Sequence, residues 1–209
     1  MSQTKRRIGN LLLALCMVFV MLPTVAFADG ANVDISNKTI TAIKNAIEGA
    51  LADNDTVTVT GSKIGVVETL KLTIPVGKTV VWQAEYKTNS GGLFDLIELY
   101  NTGTFEVTSG GEVYHPVDDA IYSFGCKVIV SGTGSVRSMS NYAIRASGDV
   151  TVSDDAIVRS SDSSAISASG LSSAVLVNGG TVEAGASLSA ISVPFGNVMV
   201  ESGTVKNTG

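Results

Sequence analysis

Val128-Ile129-Val130, Val150-Thr151-Val152, Val175-Leu176-Val177 and Val198-Met199-Val200 are one phrase written four times, with starts 22, 25 and 23 residues apart. A β-rich unit of that length, punctuated by Gly and Ser, predicts a coil of short strands stacked on copies of itself. Working outward from the phrase gives a register. Six residues after Val107, Val130 and Val152 stand Val113, Val136 and Val158, and eight further stand Ile121, Ile144 and Ile166. In the following coil the steps are five (Val177 to Val182) and nine (Val182 to Ile191), so one residue moves between turns while the coil length holds. Three apolar positions per coil imply three strand segments per coil, with equivalent residues stacked at the strand spacing of about 4.8 Å. Ala120, Ala143, Ala165 and Ala190 form a further column one place before the isoleucines. The fold expected is all-β: a single right-handed parallel β-helix over residues 57–209.

The composition fits thin coils. The chain has 22 glycines and only 6% aromatic residues. Gly110-Gly111, Gly132, Gly134, Gly179-Gly180 and Gly203 fall at the corners, where sharp turns call for positive φ. Nearer the start, Ile40, Ile43, Ile47, Ala50 and Leu51 share one helical face, with Lys44, Asn45 and Glu48 on the other. Asn37 or Thr39 suits the N-cap, and Asp53-Asn54-Asp55 ends the helix in a turn. A short amphipathic helix directly before the strand 56–60 predicts a cap over the open end of the first coil, within an N-terminal segment of residues 29–56. The early coils are less regular. Leu70-Leu72-Ile74 and Val80-Val81-Trp82 read as strands, 75–78 as a turn, Tyr86 to Gly92 as an inserted loop, and Leu96 to Tyr100 as a strand again.

The two ends carry different information. Lys5-Arg6-Arg7, the apolar stretch Leu11–Met21, Pro23 and Ala26-Phe27-Ala28 form a secretory signal over residues 1–28, with cleavage expected before Asp29. Leu15 ahead of Cys16 disfavours lipoprotein processing. The apolar run is too short for a permanent span, so the mature chain is expected to be extracellular or at the cell surface without a membrane helix. Cleavage removes three positive charges and takes the formal net charge from −5 to −8. An exported chain this acidic is a poor partner for nucleic acid. Cys126 alone remains of the cysteines, so no intrachain disulfide forms, and a corner or core role is expected for it. The last repeat stops at Thr208-Gly209 halfway through a coil. That predicts a piece of a longer protein, or an end covered by another subunit, with edge-to-edge self-association where the coil is open.

Val175-Leu176-Val177-Asn178-Gly179-Gly180-Thr181-Val182 and Ala165-Ile166-Ser167-Ala168 resemble the β-helical repeats of exported surface proteins from Gram-positive bacteria. The turn from Leu72 to Val80 is similar to early coils of the same proteins. The helix-then-strand start is similar to pectate-lyase-like proteins in general. The resemblance covers most of the chain beyond residue 28. It implies an adhesin-like or carbohydrate-binding surface protein, and because its motifs are structural it specifies fold far better than function.

A pectin-cleaving β-helix would need acidic residues clustered on adjacent coils, to bind Ca²⁺ or to serve as acid and base. The acids singled out are Asp118-Asp119, Asp154-Asp155 and Asp162. The register places them in different corners, with Asn141-Tyr142 and Ser163-Ser164 stacked beyond Asp118-Asp119, so they read as turn formers. No Arg and Lys pair is expected beside them. His115, between Tyr114 and Pro116, reads as a surface loop residue, and one His with one Cys is too few for a transition-metal site. No catalytic residue, metal or cofactor is expected.

Two outward columns look organised. Tyr114, Arg137, Arg159, Glu183 and Lys206 each follow an inward Val, with Arg159, Glu183 and Lys206 alternating in sign. Tyr122, Arg145, Ser167 and Ser192 follow the Ile positions and are expected to border the same groove. Tyr114 would stack on a sugar ring and the arginines would bond hydroxyls or carboxylates, with Glu183, Tyr122 and Arg145 counted among the ligand-binding residues. A solvated ladder that discourages aggregation explains the same columns without a ligand. The function expected is non-catalytic adhesion or contact with a polysaccharide or cell-surface glycan. The alternatives are a polysaccharide lyase or hydrolase, and a pure spacer.

Overall fold

The computed structural model describes residues 30–89, 91–185 and 188–209. The targeting segment read over residues 1–28 lies outside them. Every strand pairing is parallel, and the strands stack as a β-solenoid with three faces. Face 1 holds β1 (Ala31–Asp34), β2 (Thr56–Thr60), β5 (Thr79–Trp82), β8 (Thr104–Val107) and β11 (Lys127–Val130). Face 2 holds β3 (Ser62–Ile64), β6 (Glu85–Lys87), β9 (Glu112–His115) and β12 (Ser135–Ser138). The long strands β14 (Val150–Ser160), β16 (Ala174–Ala184) and β18 (Asn197–Asn207) turn the corner and continue both faces as one sheet. Face 3 is the separate sheet of β4 (Leu70–Thr73), β7 (Ile97–Tyr100), β10 (Ile121–Ser123), β13 (Ile144–Ala146), β15 (Ile166–Ala168) and β17 (Ile191–Ser192).

The register read from the valines is the register that forms. Val113, Val136, Val158 and Val182 pair in succession, as do Ile121, Ile144, Ile166 and Ile191. The valine and isoleucine columns up to Val182 and Ile166, and the alanines between them, are fully buried. The residue that moves between turns appears as a register shift between Asp154 and Ile157. Asp154 occupies the corner place that pairs with Gly179, at φ +56°, and its carboxylate accepts the Gly132 N–H at 2.9 Å. Its role as a turn former is thereby explained, since Asp tolerates this conformation better than most residues.

Positive φ is only half of what the corner glycines provide. Gly110 and Gly132 have φ of +87° and +56°. Gly111 and Gly134 do not, and are required for space instead. A Cβ on Gly111 would sit 2.2 Å from the Trp82 carbonyl oxygen, and one on Gly134 would sit 2.4 Å from that of Val107. The previous coil's backbone occupies the room a side chain would need.

The helix α1 (Ile40–Asp53) packs on β1, β2 and β4 and closes that end of the core. Thr39 is its N-cap, accepting the Ala42 N–H at 3.2 Å, and the Asn54 N–H returns to the Ala50 carbonyl at 3.1 Å. Ile40, Ile43, Ile47 and Leu51 are buried, each contributing roughly 1.5–3 kcal/mol of burial. Among the described residues no helix is long and apolar enough to cross a membrane.

Two early elements differ from the sequence expectation. The solenoid begins before the helix, because β1 pairs with β2 in register Val33 to Val59. The segment expected to be a loop from Tyr86 opens instead with β6, where Tyr86 is fully buried. Its ring meets Trp82 edge-on at 5.5 Å, and Trp82 lies 5.5 Å from Phe105. These rings fill a core section that later coils fill with valine.

Candidate functional site

The first outward column forms as read and extends toward α1. Lys87, Tyr114, Arg137, Arg159, Glu183 and Lys206 are register partners along face 2. Arg159 Nε lies 3.4 Å and Lys206 Nζ 3.2 Å from the Glu183 carboxylate. Sequence reading missed the neighbouring column, where Glu112 binds both Lys87 Nζ, at 2.5 Å, and Arg137. Burial opposes the Glu112 charge, but Lys87 and Arg137 outweigh it and hold the carboxyl below its ordinary value. A groove of about 640 Å³ runs past Glu112, Arg137, Arg159, Glu183 and Lys206. Each of its three cations already pairs with one of the two carboxylates, so its arginines are committed to the ladder.

Tyr122 and Arg145 do not border that groove. They lie on face 3, in a different sheet, in the column Lys71, Glu98, Tyr122, Arg145, Ser167. Here aromatic groups gather. The Tyr100 and Phe124 rings stack at 4.8 Å and 8°, Phe124 lies 4.0 Å from Tyr122, and the Arg145 guanidinium sits 4.5 Å over Tyr122. Phe124 is 44% exposed although it is one of the largest apolar side chains in the coil. Lys71 and the Tyr100 hydroxyl both hold Glu98, which raises the pKa of each above its ordinary value.

The corner leading into face 3 carries the unexpected feature. Asp95 stands two residues before β7 and Asp119 two before β10, so the β7–β10 register places them side by side. With Asp118 they bring three carboxyl oxygens within 4.8 Å of one another. The pairs Asp118-Asp119 and Asp154-Asp155 do lie in different corners, but Asp95, which the sequence reading passed over, completes a cluster. A cation also stands beside it: Arg145 Nη1 is 3.7 Å from Asp119 Oδ2. The expected stacking of Asn141 and Tyr142 does hold: Asn141 Nδ2 donates to Asp118 at 2.9 Å and the Tyr142 N–H to Asp119 Oδ1 at 3.1 Å. Asp119 is fully buried and its Oδ2 has no hydrogen bond of good geometry. Burial, then Asp95 and Asp118, push its carboxyl up to about 7 against the pull of Tyr142 and Arg145. Burial, then Asp118 and Glu98, push Asp95 up to about 6. Ionised Asp95 and Asp118 so close to Asp119 favour its protonated form.

His115 is not a surface residue, as the sequence suggested, but is fully buried at the end of β9. Its Nδ1 accepts the N–H groups of Val117 at 3.0 Å and Asp118 at 2.8 Å, which fixes the turn that delivers Asp118 and Asp119. Nδ1 is therefore unprotonated, and burial holds the ring below its ordinary pKa despite the charge of Asp118. The ring packs edge-on against Phe94 at 5.0 Å. Pro116 makes the segment look like an exposed bend, and the backbone service done by Nδ1 leaves no trace in sequence. Cys126 is buried as expected, its Sγ 3.3 Å from the Tyr100 carbonyl, and burial pushes the thiol up to about 11.

No protein-family model, curated protein or solved structure matches the chain.

Proposed function

We propose that this chain is a non-catalytic solenoid of an exported, adhesin-like surface protein, and that face 3 contacts glycans. The observation that carries the reading is the aromatic stack Tyr100–Phe124–Tyr122 ending in Arg145, left open to solvent at Phe124. An aromatic surface accepts the weakly positive C–H groups of a sugar ring, and a guanidinium beside it bonds hydroxyls or acidic groups. Rigid rings lose little entropy on binding, which suits a repetitive, weak, multivalent contact. The face 2 ladder supports the reading less well, because Arg137, Arg159 and Lys206 are already paired. Affinity electrophoresis against neutral and anionic polysaccharides at about pH 5 tests the proposal. The parent chain should be retarded by at least one of them, and Tyr122→Ala with Phe124→Ala should abolish the shift. Arg137→Ala with Arg159→Ala should leave it intact. No retardation of the parent by any polysaccharide would end the reading.

The convergence of Asp95, Asp118 and Asp119 favours a polysaccharide-cleaving enzyme as the second reading. Its spacing argues against hydrolysis. Retaining and inverting glycosidases hold their carboxyls about 5–5.5 Å and about 6.5–9.5 Å apart, leaving room for the sugar carbon or a water. Carboxyl oxygens of Asp95, Asp118 and Asp119 gather within 4.8 Å of one another, which is tighter than either arrangement. Release of reducing ends or unsaturated products from any of the same polysaccharides would establish the enzyme instead.

A further inference from the structure

We propose that the Asp95–Asp119 pair gates Arg145, so that face 3 takes an anionic glycan when the pair holds its protons and refuses it when the pair is ionised. The proposal rests on the glycan reading of face 3 and adds the ligand's charge and the control of its binding.

The geometry comes first. Arg145 stands between two partners, the Tyr122 ring at 4.5 Å and Asp119 Oδ2 at 3.7 Å. Its side chain is 45% exposed while that of Asp119 is 1% exposed. The guanidinium is thus a solvent-facing cation anchored by a buried anion. Asp119 cannot turn away, because Oδ1 is held by the Tyr142 N–H and its own backbone N–H is held by Asp118 at 3.0 Å. The only change open to it is protonation.

The charges facing the pair come from every element around it. Asp118 lies on the same turn, Glu98 on β7 and Arg145 on β13. Lys71 on β4 reaches the group through Glu98 at 2.9 Å. His115 on β9 is buried and presents an unprotonated Nδ1 to the turn. When Asp95 and Asp119 are both ionised, four carboxylates surround two cations. An anionic ligand then meets net negative charge, and Arg145 is drawn toward Asp119. When the pair is neutral, two carboxylates balance two cations and Arg145 loses its buried counter-charge. Burial and mutual repulsion put these protonations near neutral pH, at about 6 and about 7, rather than in the ordinary carboxylate range. The pair titrates as a unit, so the gate opens over the whole interval as pH falls.

Dextran sulfate and dextran are suitable probes, because they share a backbone and a sulfate stays ionised throughout. Binding of each to the whole chain should be measured by calorimetry at about pH 5 and about pH 8. Affinity for dextran sulfate should rise on the order of tenfold at the lower pH, while that for dextran stays level. Asp119→Asn and Asp95→Asn each mimic a protonated carboxyl, and each should flatten the dependence toward the high-affinity limit. Carbon-13 titration of the two carboxyls supplies a reading that does not depend on binding. Midpoints in the ordinary carboxylate range would overturn the gate, as would an unchanged pH dependence in both variants. If polysaccharides bind through Tyr122 and Phe124 but dextran sulfate affinity ignores pH, the gate fails alone. If the parent binds none, the glycan reading falls and the gate falls with it.

Discussion

A carboxyl buried against two others keeps its proton to unusually high pH, and that makes Asp119 a debit to folding as well as a feature of the site. Its folded pKa, about 7, lies above the ordinary 3.8, and Asp95 at about 6 shares the direction. Both states are protonated well below pH 4, so nothing is lost there. As pH rises, the unfolded chain ionises first and the folded one resists. Stability therefore falls between about pH 4 and about pH 7 and stays low above the folded pKa. Asn at position 119 retains an oxygen for the Tyr142 N–H and removes the charge. Asp119→Asn should raise the urea midpoint at about pH 8 by an amount corresponding to a few kcal/mol, and should leave it unchanged near pH 3.5. A midpoint that moves equally at both pH values would mean that packing, not charge, sets the effect. The ion pair with Arg145 offsets part of the cost, because the guanidinium favours the ionised form that burial opposes.

Between one residue and the next coil, the corner decides what an element tolerates. Gly111 and Gly49 illustrate opposite cases. Gly49 lies on the exposed side of α1 with nothing within 4 Å of a would-be Cβ, so Gly49→Ala should stabilise by about 1 kcal/mol through helix propensity. Gly111 has the Trp82 carbonyl oxygen 2.2 Å from the same point, and backbone of a stacked coil cannot move aside cheaply. Gly111→Ala should destabilise by about 1–3 kcal/mol. Denaturant midpoints of the two variants must move in opposite directions, and a shared direction would refute the corner geometry. The same local view explains what could be read from the sequence. The valine and isoleucine columns repeat at a fixed interval because each residue packs on its own counterpart, so counting finds them, and the face 2 column follows from counting one further. β1 and β6 each bury a single side chain, Val33 and Tyr86, and one buried position has no period. Asp95 was hidden for a related reason. Eleven residues separate Tyr86 from Ile97, where eight separate their partners Val113 and Ile121, so the count that works from residue 105 onward does not reach it.

For the molecule as a whole, contacts run from coil to coil, and stability should be local in the same sense. Eight strands stack along face 1, from β1 to β18, which spans about 34 Å at the strand spacing. The helix makes its main strand contacts with β1, β2 and β4, and it covers the core end from which unzipping would start. The aromatic, guanidinium and carboxyl groups lie on β7, β10 and β13, at Phe124 just past β10, and in the corner before these strands, and β7 pairs directly with β4. A charge placed under the cap separates a local from a global response. Ile47 is fully buried on α1, and Ile47→Lys would force an ammonium group into that seam or lift the helix away. Hydrogen exchange should then show lost protection in β1, β2 and β4, with β13, β14 and β15 still protected. Glycan retardation through Tyr122 and Phe124 should survive, since neither residue depends on the cap. Uniform loss of protection along the chain would show instead that the solenoid unfolds as one unit, with the helix as its keystone.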